Sequence, residues 1–112
     1  MHTESIREFA LSLPGVTEHF PFDDVTLVFK VNGKMFLLLP LDRESLSFNV
    51  KCDPEIAVER RELYPGTVIP GYHMNKSHWN TVIVNGELSA TQLKGFIEES
   101  YQLVSRKRKT GK

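Results

Sequence analysis

The chain predicts an α+β fold: a two-layer sandwich in which an antiparallel sheet of about five strands carries helices packed on one face. Three observations support this. Short alternating apolar runs are interrupted three times by stretches with helical periodicity, in the order α-β-β-β-α-β-β-α. An Asn32-Gly33 pair joins two of the alternating runs, and that dipeptide is the strongest short-range hairpin signal. Helix-start residues stand ahead of each periodic stretch, and Pro-Gly pairs follow the first two. At 112 residues the sequence reads as one domain over residues 1–105, followed by a basic tail at 106–112.

Taken in order, Thr3 can cap a first helix whose apolar residues Ile6, Phe9, Ala10 and Leu13 recur at helical spacing. Pro14-Gly15 ends it, and residues 16–24 read as a loop carrying Phe20 and Phe22. Residues 25–31 then alternate. A two-residue turn at Asn32-Gly33 pairs Val31 with Lys34, Phe29 with Phe36 and Leu27 with Leu38, which makes those residues one core face. Val28, Met35, Leu37 and Leu39 fall on the opposite face, which is too apolar to be simply wet. A third strand covers residues 46–50, with Leu46, Phe48 and Val50 inward. Asp53-Pro54-Glu55 opens a second helix that ends near Leu63. A weak strand signal lies at 67–69 or 72–74, and the last strand covers 79–84. Ser89 and Gln92 form a capping box for a final helix bearing Leu93, Phe96, Ile97, Ser100, Tyr101 and Val104 on one side.

Composition narrows the function. With 40% hydrophobic and 25% charged residues the chain is an ordinary globular sequence. Cys52 is the sole cysteine, so no disulfide framework and no thiolate zinc site is expected. No leader-like stretch opens the sequence, and the longest apolar run, residues 35–41, is too short to cross a bilayer. These features suggest a cytoplasmic monomer with no membrane contact. The net charge of zero hides an asymmetry. Five of the fourteen basic residues lie in the last seven positions, which leaves residues 1–105 at −5.

Residues 70–81 read P-G-Y-H-M-N-K-S-H-W-N-T and hold the only tryptophan and two of the four histidines. Aromatic faces, imidazoles and amides suit a flat or anionic ligand. The expected contact set is therefore Tyr72, His73, Lys76, His78, Trp79 and Asn80, with Trp79 alternatively a core anchor. Lys30, Lys34, Arg106, Lys107, Arg108 and Lys109 would contact phosphates, which position a chain without reading its sequence. His73 and His78 are five apart with no carboxylate between residues 67 and 86, an incomplete ligand set, so no metal is expected. Neither Cys52 nor Glu18-His19 has a visible catalytic partner, so no catalytic residue and no cofactor is assigned.

Leu13-Pro14-Gly15, the Asn32-Gly33 hairpin and above all the 70–81 stretch resemble the YjbR or MmcQ family of small bacterial proteins. The resemblance spans roughly residues 6–104. It implies a fold related to the frataxin-like fold and to the double-wing DNA-binding domain, and with it a DNA-binding role. Iron handling in the frataxin manner is rejected, because the first helix offers only Glu4 and Glu8 and no carboxylate stripe. The reading is a non-catalytic binding domain, with DNA as the expected partner. The alternatives are a small-ligand pocket at residues 72–81 and a protein-interaction module on the outer hairpin face.

Overall fold

The computed structural model describes residues 1–71 and 74–105. Its elements are α1 (Thr3–Ser12), β1 (Thr17–His19), β2 (Thr26–Val31), β3 (Lys34–Pro40), β4 (Ser47–Lys51), α2 (Pro54–Leu63), β5 (Val68–Pro70), β6 (Trp79–Ile83) and α3 (Ala90–Ser105). The six strands form one antiparallel sheet in the order β1-β2-β3-β4-β6-β5. The fold is α+β with the helices on one face, and the sheet has one strand more than the sequence suggests. The extra strand is β1, three residues with no apolar alternation, paired to the edge of β2.

The helix starts follow local chemistry. α1 is capped by His2 rather than Thr3: His2 Nδ1 accepts the Ser5 N–H at 3.3 Å, and Ser5 Oγ accepts the His2 N–H at 2.9 Å. Pro54 occupies the first turn of α2, with Asp53 as N-cap but without a side-chain bond. The α3 capping box forms as expected, with Ser89 and Gln92 exchanging bonds of 2.9 and 3.1 Å.

The hairpin turn also forms, with positive φ at both Asn32 (55°) and Gly33 (76°), and Val31 faces Lys34. Beyond Lys30–Met35 the register departs from simple alternation. Phe29 faces Leu37, not Phe36, and Leu27 faces Leu39. One extra residue in β3 makes a bulge, and a bulge reverses the phase of every side chain after it. Phe36, Leu37 and Leu39 therefore all join the helix-side core, and Leu38 turns to the other face beside Val28.

The bulge leaves a gap that α3 fills. The β3–β4 ladder pairs only Leu37–Val50 and Leu38–Asn49. Next to it, the fully buried Ser100 hydroxyl accepts the Lys51 N–H at 2.8 Å and donates to the Phe36 carbonyl at 2.6 Å. Leu93, Ile97, Tyr101 and Val104 of α3 and Ile6 and Ala10 of α1 complete the core around this point. The Tyr101 ring meets Phe36 edge-on at 5.5 Å, and its hydroxyl donates to the Pro14 carbonyl. Arg60 ties α2 to α3 by pairing with Glu99 at 2.9 Å and lying over the Phe96 ring. Among the described residues no helix is long and apolar enough to cross a membrane.

Replacing Ser100 by Ala would strand a buried backbone N–H and a buried carbonyl without changing the packing. The expected loss is about 2 kcal/mol of stability at unchanged m-value in urea unfolding. A variant with the parent's midpoint would mean that Ser100 does not bridge the strands.

Candidate binding surface: the helix-free face of the sheet

The most distinctive stretch of the sequence is largely structural at its C-terminal end. Trp79 is only 7% exposed and packs on Val28 and Leu38, with Met35 and Met74 closing over them. Gly71 lies against it: the Gly71 N–H donates to the Trp79 carbonyl at 2.9 Å, and a Cβ at 71 would meet Trp79 Cβ at 2.9 Å. Asn80, on the opposite face, is 1% exposed. Its Nδ2 donates to the Ala57 carbonyl at 3.2 Å, and its Oδ1 accepts Arg61 Nε at 2.8 Å. Arg61 also donates to the Lys76 carbonyl, so one buried amide links α2, β6 and the preceding turn. The expectation that Trp79 and Asn80 reach solvent together is thus overturned. The start of β6 is covered on both faces, Asn80 by α2 and Trp79 by Met35 and Met74.

The remaining expected contacts are scattered. Lys76 is exposed and His78 half-buried in a turn in which Asn75 Oδ1 accepts the Ser77 N–H. Lys30 shares the helix-free face with Val28, whereas Lys34 pairs with Val31 on the helix side, so the two hairpin lysines face opposite ways. Tyr72, His73, Arg106, Lys107, Arg108 and Lys109 lie outside the described residues. The outer hairpin face expected for protein contact is not available either. Val28, Leu37 and Leu39 are fully buried and Met35 is half-buried.

What stays open is a groove of about 370 Å³ on the helix-free face, above β3, β4 and β6. Leu38, Pro40 and Met74 supply its apolar lining, Phe22 forms a lip, Thr26, Ser47, Asn49 and Thr81 supply polar groups, and Asp23 and Arg43 supply charges of opposite sign. Asn49 and Thr81 face each other across the β4–β6 ladder, and the Thr81 hydroxyl donates to Asn49 Oδ1. Both are buried. The lip is held by Asp23, whose Oδ1 accepts the Val25 and Thr26 N–H groups at 3.0 and 2.8 Å. Phe22 above it is 63% exposed. A shallower concavity lined by Ser47, Ile69 and Ile83 continues along β4 and β6. Sequence reasoning missed this site because its residues come from four separate segments. Two signals were present: polar residues in the middle of apolar strands, and two phenylalanines in a loop.

Charge is segregated between the layers. The three helices carry seven acidic and four basic residues, whereas the six strands carry Lys30, Lys34 and Lys51 against Glu18 alone. Glu18 is itself neutralised. Arg7 grips it through two bonds of 2.7 Å and holds its carboxyl below the ordinary range. The concavity around Arg7 is therefore already internally paired, with Glu4 as a second partner. Cys52 is buried, and burial pushes its thiol up, which keeps it protonated and a poor nucleophile at neutral pH. Among the described residues no three His, Cys, Asp or Glu side chains group to hold a metal ion.

These features define a small α+β domain with one face of its sheet shielded by helices and a groove on the other. The YjbR family model matches residues 11–103, and the chain belongs to the YjbR family. It is similar to the uncharacterized protein YbdF of Escherichia coli O157:H7, 39% identical over 101 residues, covering 90% of this chain and 82% of that one. YjbR of Escherichia coli K12 is 27% identical over 102 residues, covering 91% and 86%. Among solved structures, Deinococcus radiodurans protein DR2400 superposes with a TM-score of 0.88 at 40% identity, covering 96% of this chain and 80% of that one. A Pseudomonas syringae protein gives 0.78 at 28% identity, covering 92% and 98%.

If Asn80 is the clamp described, Asn80→Ala leaves the Ala57 carbonyl and the Arg61 guanidinium without their buried partner. The expected cost is about 3 kcal/mol in chemical unfolding. In a double-mutant cycle with Arg61→Ala the two losses should fall well short of additive. Additive losses would show that the two side chains act separately.

Proposed function

We propose that this protein is a non-catalytic binding domain that takes nucleic acid on the helix-free face of its sheet. The observation that carries the reading is the difference in charge between helices and strands: the helices carry seven acidic residues against four basic, and the strands carry three lysines against Glu18. A polyanion is repelled by the first layer and attracted by the second. Lys30 and Lys51 share the helix-free face with Val28 and Trp79 respectively, by strand register. The end of α3 adds to this. Asn32 Nδ2 donates to the Ser105 carbonyl at 3.3 Å, so the helix finishes beside the hairpin tip that carries Lys30 and Lys34. In the sequence, Arg106, Lys107, Arg108 and Lys109 follow at once. Phosphate contacts of this kind hold and orient a strand, and the exposed Phe22 and the groove polar groups offer contacts to bases.

A second reading is favoured by one observation. The groove falls in the size range of small-molecule sites and combines an apolar floor with a few convergent polar groups. A free small ligand there would need neither Lys51 nor the tail.

Binding of a fluorescent single-stranded oligonucleotide, followed by anisotropy across a salt series, separates the two. With about four phosphates engaged, log affinity should fall against log salt with a slope of about −3. Lys51→Glu and truncation after Ser105 should each weaken binding and flatten that slope. Affinity indifferent to salt and to both changes would rule the nucleic-acid reading out.

A further inference from the structure

We infer that the end of the sheet farthest from the Asn32-Gly33 turn docks the basic turn end of a second copy, so that chains associate head to tail in place of the monomer that the sequence suggests. The inference does not depend on the nucleic-acid reading.

Strand register fixes which segments lie at each end. Thr26 pairs with Pro40, Leu37 with Val50 and Ser47 with Ile83, so residues 20–25, 41–46 and 84–89 meet at one end. The Leu41 N–H donates to the Val25 carbonyl there at 2.7 Å. These three segments hold Asp23, Asp24, Asp42, Glu44 and Glu87, all exposed, against one cation, Arg43, which pairs with Asp42 at 3.7 Å. At the other end Val31 pairs with Lys34 and Lys51 with Trp79, which gathers Lys30, Lys34, Lys51 and Lys76. Asp53 and Glu55, at the start of α2, offset two of them. α3 also finishes there, where Asn32 Nδ2 donates to the Ser105 carbonyl, and in the sequence Arg106 to Lys109 come next. Unlike charges therefore sit at opposite ends of the strands. β3 alone, seven residues long, separates the ends by about 20 Å. One copy cannot bring them together, and two copies can.

The acidic end has the chemistry of a surface that takes lysine and arginine. Phe20, Phe22 and Leu41 stand among its carboxylates, and they are three of the five large apolar side chains exposed among the described residues. A ring face attracts a cation, a carboxylate pairs with it, and the apolar stem of the side chain covers the ring. Lys34 is exposed at the foot of a tight turn, so a neighbouring copy would present it on a rigid support. Charge also selects which end of the neighbour docks. The acidic end repels its own kind, whereas the turn end attracts it. A contact between two different patches does not close on itself, so further copies can add.

Light scattering from the full chain over a concentration series tests this. At about 0.01 M salt, where charges act over about 30 Å, the mean mass should rise with concentration above that of one chain. At about 1 M salt, where that reach falls to about 3 Å, it should return to one chain. Asp24→Lys with Glu44→Lys changes the acidic end, and Lys30→Glu with Lys34→Glu changes the turn end; thermal melts establish that each double variant is folded. Each alone should remain a single chain at low salt. An equimolar mixture of the two should associate again, because one variant's turn end still matches the other's acidic end. If a reversed variant melts low, the milder Asp24→Asn with Glu44→Gln takes its place and should weaken association about tenfold, as losing two surface ion pairs does. A parent that stays a single chain throughout, an acidic-end variant that associates as the parent does, or a mixture that stays dissociated would each overturn the inference.

Discussion

An extra residue in β3 decides what each layer of this protein contains. With strict alternation from the Asn32-Gly33 turn, Leu37 and Leu39 would point away from the helices and Leu38 towards them. The bulge after Met35 reverses this, placing Phe36, Leu37 and Leu39 under α1 and α3. Each fully buried leucine contributes on the order of 2 kcal/mol, so the alternative register would lose a substantial part of a small core. The bulge also breaks the ladder between β3 and β4, and the Ser100 hydroxyl repairs it from the helix above. Sheet register and helix placement are therefore set by the same few atoms. The site depends on them too, because the phase reversal is what carries Leu38 to the helix-free face.

The buried polar residues divide into two kinds. Ser100 and Asn80 direct their hydrogen bonds to the backbone of other elements and serve the fold. Asn49 and Thr81 bond to each other across neighbouring strands, on the face that no helix covers, with apolar residues around them. That contrast, more than the unusual composition of residues 70–81, is what marks the surface. The charge distribution agrees with it: the acidic excess of residues 1–105 sits on the helices and the connecting segments, whereas the strands carry three lysines against Glu18.

Much of the fold was legible because its signals are local. The Asn32-Gly33 turn, Pro54 at the start of α2 and the Ser89–Gln92 box each act within four residues, and each forms as the sequence implies. β1 was not legible, since Thr-Glu-His has no period and is ordered by pairing with β2 and by the Arg7–Glu18 bond. The bulge was equally hidden, because the apolar run 35–39 fits either phase and only packing chooses. The site was misplaced for a related reason. Trp79 and Asn80 are adjacent, and neighbouring residues of a strand face opposite ways, so they could not share a patch. The groove gathers Phe22, Leu38, Asn49 and Thr81 from distant parts of the chain, and no linear motif records that.

The central claim, that ligand is met on the helix-free face, is tested most directly by mapping backbone amide chemical shifts while a single-stranded oligonucleotide is titrated in. Shift changes should cluster at Phe22, Val28, Leu38, Asn49, Lys51 and Thr81 and spare the exposed side of α1, α2 and α3. Changes concentrated on the helices, with the sheet residues unmoved, would contradict the account.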